Sequence, residues 1–137
     1  MTTSAQDYFD QLRYLNEEIT VTYERLNALQ SRFDKEISEI YHDIERSDFD
    51  LTDGLQTTLR LKEVLQQRRA VKDQLVRIQP MYDLLRRNFR RVNDEYLRRS
   101  EKGDQVRSSL NSTMRIEEVF QRIEEESRST ELSLVNV

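Results

Sequence analysis

Between Ala5 and Arg46 apolar side chains recur every seven residues, at Leu12, Ile19, Leu26, Phe33 and Ile40. A second set, Leu15, Tyr23, Leu29, Ile37 and Ile44, follows three or four residues behind each. Apolar positions at this spacing form one narrow seam on a helix, and the flanking Glu, Asp, Gln and Arg suit a solvated outer face. The spacing therefore predicts a long helix over 5–46 that needs a helical partner.

The segment SDFDLTDG at 47–54 interrupts the pattern. Ser47, Asp50 and Thr52 can cap a helix N-terminus, and Asp50 and Asp53 place negative charge where the helix dipole favours it. A bend between two antiparallel helices is expected here. The second helix is predicted over 52–102, with Leu61, Leu75, Tyr82, Phe89 and Tyr96 in one phase, Arg68 interrupting it, and Val64, Val71, Ile78, Leu85 and Val92 three residues behind. Pro80 lacks an amide donor and crowds the preceding turn, so a kink near Ile78 to Gln79 is expected. Gly103, after the basic turn RRSEK, is the expected left-handed stop. A shorter helix over 112–128 carries Met114, Val119, Phe120 and Ile123, and residues 129–137 read as a flexible tail.

Folding the chain back near residue 50 sets Leu12 against Phe89, Ile19 against Tyr82, Leu26 against Leu75, Phe33 against Arg68 and Ile40 against Leu61. The expected fold is therefore all-α: a long antiparallel, coiled-coil-like hairpin with a shorter C-terminal helix, in a single elongated domain over 1–128. One narrow seam covers little of such a chain. The third helix, a second copy, or both should cover the rest, and a homodimeric bundle is the expected assembly.

Charge changes the picture in one respect. The whole chain carries −4, but residues 1–53 hold 5 basic and 13 acidic side chains, residues 54–102 hold 13 and 6, and residues 103–137 hold 4 and 7. An acidic helix followed by a basic one favours their pairing over like-with-like association. Because exposed ion pairs contribute only ~0–1 kcal/mol each, this selects partner and orientation more than it stabilises.

Composition then narrows the chemistry. Of 137 residues, two are glycine, one is proline and none is cysteine. Such a chain has little material for sheets or phosphate-cradling loops, and neither disulfides nor thiol catalysis is available. The missing cysteines, the lack of a signal-like apolar start and the lack of a run approaching the ~20 apolar residues of a membrane span predict a cytoplasmic protein without a membrane partner. Asp48, Asp50 and Asp53 before Gly54 invite comparison with a calcium loop. A loop starting at Asp48 would need glycine at its sixth position and glutamate at its twelfth, where this chain has Asp53 and Leu59. The connector reading is preferred.

His42, the single histidine, has Asp43 and Glu45 beside it but no second soft ligand and no nucleophile to activate. It reads as a surface residue bonded to a nearby carboxylate. Glu17 with Glu18, and Glu124 with Glu125 and Glu126, lack the pocket that would separate their pKa values for acid–base work. No enzymatic activity, cofactor or metal is expected. Arg68 is either a buried specificity device paired with Glu36 or Asp34, or extends its head to water along its aliphatic stem, the latter preferred.

The most conspicuous motif is RRNFRRVNDEYLRR at 86–99, in which Arg86, Arg87, Arg90, Arg91, Arg98 and Arg99 form the candidate binding residues. On a helix they build a ridge beside the seam. Three uses compete: answering the acidic first helix, which is preferred; gripping a protein; or holding nucleic acid, with Phe89 and Tyr96 stacking on bases. Both rings fall on the seam, which counts against the last.

The stretch HDIERSDFDLTDGLQTTLRLKEVLQQRRAVKDQLVRIQPMYDLL at 42–85 resembles small helical coiled-coil proteins of phages and mobile elements from low-GC Gram-positive bacteria. The features that carry the resemblance are HDIE, the acidic connector with Gly54, RRAVKD and QPMYDLL. It implies a cytoplasmic accessory protein without enzymatic activity, of the kind that binds a host or defence protein, and it transfers no site residue. The expected function is therefore a noncatalytic, homodimeric protein-interaction protein that modulates or inhibits a host or defence protein. The alternative is a DNA- or RNA-binding regulator using 86–99.

Overall fold

A computed structural model describes residues 4–135, and these form three helices: α1 (Ala5–Arg46), α2 (Leu51–Ser109) and α3 (Ile116–Val135). There is no strand among them. The two long helices pack together and the shorter one follows at the C-terminus, as the heptads and their interruption require.

Local chemistry explains most of the helix ends. Ser4 caps α1: its hydroxyl accepts from the Asp7 amide at 3.2 Å while the Asp7 carboxylate accepts from the Ser4 amide at 3.1 Å. This reciprocal box satisfies two donors that a helix start leaves orphaned. Asp50 caps α2, its carboxylate accepting from the Asp53 amide at 2.8 Å. The expectation for the connector holds there.

The second helix does not stop at Gly103. It runs on to Ser109, and no glycine takes a positive φ. The left-handed residue is Asn111, at φ 53°. The Ser112 amide donates to the Arg107 carbonyl at 2.9 Å and the Asn111 amide to the Ser108 carbonyl at 3.2 Å, the paired bonds of a Schellman cap. Asparagine tolerates this conformation because its short amide bonds locally. The Arg107 guanidinium reinforces the cap by donating to the carbonyls of Ser112 and Met114. Without such a cap at Gly103 the helix has no reason to end there.

Pro80 is carried inside α2 without a break. The helix therefore forgoes one amide bond, to the Val76 carbonyl, and continues on the strength of the pairing on either side. The C-terminal stretch differs too. The third helix begins at Ile116 rather than 112 and continues to Val135, so most of the expected tail is helical; residues 136–137 lie outside the described residues.

The chain divides into two compact units, Leu15–Asn88 and Met1–Tyr14 with Phe89–Val137. In the first, Ile40 is fully buried, and Val64, Val71 and Leu75 are buried with it. Around them Ile19, Tyr23, Leu26, Phe33 and Ile37 of α1 and Leu61, Ile78, Tyr82 and Leu85 of α2 are half-buried. In the second unit the buried residue is Phe9, which stacks on Tyr96 at 4.1 Å and lies 6.4 Å from Phe89. Three expected seam members, Leu15 and Ile44 of α1 and Val92 of α2, are exposed instead. The pattern on α1 is regular once Phe9 and Asn16 replace Leu15 and Ile44.

Register differs from the simple fold-back by up to one turn. Tyr82 stacks on Tyr23 at 3.8 Å rather than meeting Ile19, and Tyr96 stacks on Phe9 at 4.1 Å, likewise four residues further along α1 than the fold-back would set it. The cause lies at the connector. Asp43, one turn from the end of α1, pairs at 3.8 Å with Arg60, more than two turns into α2, so the first turns of α2 run past the end of α1. Leu51, 93% exposed, sits on that overhang.

Two outcomes test this packing by thermal melts followed by circular dichroism. Ile40→Ala should cost about 2–5 kcal/mol because it opens a cavity at a fully buried site, whereas Leu15→Ala should cost under about 0.5 kcal/mol. Equal effects would contradict the seam as drawn. Pro80→Ala should raise the midpoint, since it restores an amide donor and removes a penalty of up to about 3 kcal/mol; an unchanged or lower midpoint would mean that the proline shapes a contact the helix needs.

Candidate interaction surfaces

All six arginines of 86–99 are exposed. At 100° per residue, Arg87, Arg91 and Arg98 fall opposite the seam and Arg86 and Arg99 flank it. Arg86 and Arg87 belong to the Leu15–Asn88 unit and the other four to the second unit. None of these six side chains forms an ion pair with α1 among the described residues. Among the described residues, their ion pairs run only to Glu95 on their own helix, from Arg98 at 2.7 Å and Arg99 at 3.4 Å. The Asp7 carboxylate is engaged in the Ser4 box and the Asp10 carboxylate with Gln6 and Arg13, so the acids of that end of α1 are used locally.

The hydrogen bond and charge of Arg98, aided by Arg99, hold the Glu95 carboxyl below its ordinary value of 4.5, and the same pairing raises Arg98. Arg86 takes a different role, its guanidinium lying 5.9 Å over the Tyr82 ring that stacks on Tyr23. Such a cation over an aromatic face is weakly favourable at exposed sites. Phe89 and Tyr96 face Phe9, and the Tyr96 hydroxyl donates to the Gln6 side-chain carbonyl at 2.6 Å. Both rings are half-buried and one face of each is turned to Phe9.

Pairing across the helices is made instead by Arg60 with Asp43 and by Arg68 with Asp34 at 2.5 Å. Arg68 thus pairs with Asp34, one of its two candidate acids, rather than directing its head to water as preferred, although the pair is not fully buried. Fixing an arginine head on α1 in mid-seam helps set the register, a use of polar seam residues that costs some stability.

His42 is exposed, its Nδ1 3.9 Å from a Glu45 carboxylate oxygen. The Asp50 carboxylate is committed to the α2 cap. Among the described residues no group of three or more His, Cys, Asp or Glu side chains is placed to hold a metal ion, and no helix is long and apolar enough to cross a membrane.

What the sequence reading missed lies on the outer face of α2. Leu51, Leu55, Thr58, Lys62, Leu65 and Arg69 follow one another at spacings of three and four residues, away from the seam. Beside this stripe, Thr58, Lys62, Leu65 and Arg69 join the seam residues Leu61 and Arg68 around an open hollow of about 450 Å³ with an almost wholly apolar floor. A second off-phase stripe of leucines was the signal that could have found it. The other unpartnered surface is α3, where Ile116, Phe120 and Ile123 share a face yet remain exposed. A polar depression of about 410 Å³ between α1 and α2 holds Arg32, Glu36, Arg60 and Glu63 over Phe33 and Val64.

The Glu95 pairing gives a signed pH test. Because its folded-state pKa is depressed, its contribution is present above the ordinary value of 4.5 and is lost as pH falls through the lower, folded value. Glu95→Gln should therefore lower the melting midpoint slightly at neutral pH and low salt. The difference from wild type should vanish in acid and shrink with added salt; a difference that grew in acid would contradict the pairing.

No family of known proteins, no curated relative and no solved structure matches this chain.

Proposed function

We propose that the chain is a noncatalytic, protein-binding helical module that self-associates and presents exposed apolar helix faces to helical partners. The observation that carries this reading is the imbalance of its apolar surface. Among the described residues five hydrophobic side chains are buried, while Leu51, Leu55, Leu65, Phe120, Ile123 and many others stand in water. The accessible surface is 11671 Å², against roughly 7,500 Å² for a folded monomer of its 16.5 kDa mass. A standard association interface removes about 800 Å² per partner, only part of that excess. Exposed apolar stripes of helical spacing are the means by which helices dock in grooves.

The specific form suggested by the resemblance of residues 42–85 is a cytoplasmic modulator or inhibitor of a host or defence protein. The second reading, a nucleic-acid regulator using Arg86, Arg87, Arg90, Arg91, Arg98 and Arg99, draws on their exposure and on their not being tied to α1. It is weakened by the rings of Phe89 and Tyr96, each with one face turned to Phe9, and by the net negative charge.

Light scattering on a size-exclusion column, with and without mixed short DNA and RNA, separates the two. The protein-binding reading predicts a self-associated species unchanged by nucleic acid at low and moderate salt, and unchanged by converting Arg86, Arg87, Arg90 and Arg91 to Gln. A nucleic-acid complex that dissolves as salt rises, and is lost in the Gln variant, would replace it with the second reading.

A further inference from the structure

We infer that the hollow of α2 that runs from the edge of the seam onto the outer face receives α3 of a second copy of this chain, each copy giving its third helix and accepting its partner's. This rests on the reading of the chain as a self-associating protein-binding module and names the surfaces involved.

The two surfaces fit in shape and spacing. Thr58 to Arg69 spans roughly 17 Å of helix at 1.5 Å per residue, and Ile116 to Ile123 roughly 11 Å, so the anchors of α3 fall within the length of the hollow. Ile116, Val119, Phe120 and Ile123 recur at the three- and four-residue intervals by which an amphipathic helix lays one face into a groove. The floor they would meet is Leu61 and Leu65, extended toward the N-terminus of α2 by the exposed Leu55 and Leu51.

Charge identifies the occupant. The hollow is edged by Lys62, Arg68 and Arg69 with no acidic residue in its lining. Arg68 is engaged by Asp34, but neither Lys62 nor Arg69 makes an ion pair among the described residues. The third helix carries six glutamates against Arg122 and Arg128, and none of those glutamates makes an ion pair among the described residues. Glu124 and Glu126 lie on either side of its apolar stripe. An acidic amphipathic helix without partners thus meets an apolar groove with unpaired cationic rims, supplied by the same sequence. Two α3 helices would repel each other, which disfavours their direct pairing. Reciprocal exchange closes a twofold dimer rather than an open chain, and it draws on the excess accessible surface.

The full chain tests this by light scattering, with circular dichroism confirming helix content. Wild type should show twice the 16.5 kDa chain mass. Phe120→Asp and Leu65→Asp, both at exposed positions, should each give the single-chain mass without loss of helicity. Lys62→Glu with Arg69→Glu should also dissociate the dimer, and adding Glu124→Lys with Glu126→Lys to the same chain should restore it. A dimer that survives Phe120→Asp overturns the exchange while leaving self-association standing. A single-chain mass for wild type at every concentration overturns both, and an open series of larger species overturns the reciprocal geometry.

Discussion

Everything in this protein depends on how little of a long helix one antiparallel partner can cover. A pair of helices buries one stripe on each, three to four residues in every two turns, and the remaining surface must face water or another molecule. Here the stripe is occupied by Ile40, Val64, Val71 and Leu75 in one unit and by Phe9 against Phe89 and Tyr96 in the other. The high charge of the chain follows from the same constraint, since most positions lie off the stripe. The exposed leucines of α2 and the apolar face of α3 stand out because they depart from it.

Polar contacts refine the pairing more than they hold it. Arg68 with Asp34 and Arg60 with Asp43 join the helices at exposed or half-exposed sites, where an ion pair adds little energy but one register satisfies both. The stacked Tyr23 and Tyr82 add geometric selectivity through their ring planes. Together these explain why the helices sit up to one turn from the alignment that a symmetric bend would give.

The fold was legible in the sequence because heptads are a strong signal: the three helices, their order and most seam positions follow from Leu12, Ile19, Leu26, Phe33 and Ile40 and their counterparts on the second helix. The register was less legible, since it depends on how far α2 overhangs α1 beyond the Asp50 cap, which no local pattern encodes. Gly103 illustrates a further limit. A glycine after a basic turn permits a helix stop, but the chain ends α2 at Asn111, where Arg107 can hold the carbonyls of Ser112 and Met114. The six arginines were legible as a motif and not as a role, because overall charge balance between segments does not say which side chains meet. Arg87, Arg91 and Arg98 lie where α1 cannot reach them, and the outer stripe of α2 went unread because attention to one seam hides a second.

The central claim is that this hairpin leaves apolar helix faces for another chain to cover. Hydrogen exchange followed by mass spectrometry as a function of protein concentration tests it most directly, since amide protection reports local opening segment by segment. The account predicts that peptides from the α1–α2 seam, around Ile40 and Val64 to Leu75, are protected at every concentration. Those from α3 and from Leu51 to Arg69 should gain protection together as concentration rises. Protection of α3 that is already complete in dilute monomer, or absent at all concentrations, would contradict it.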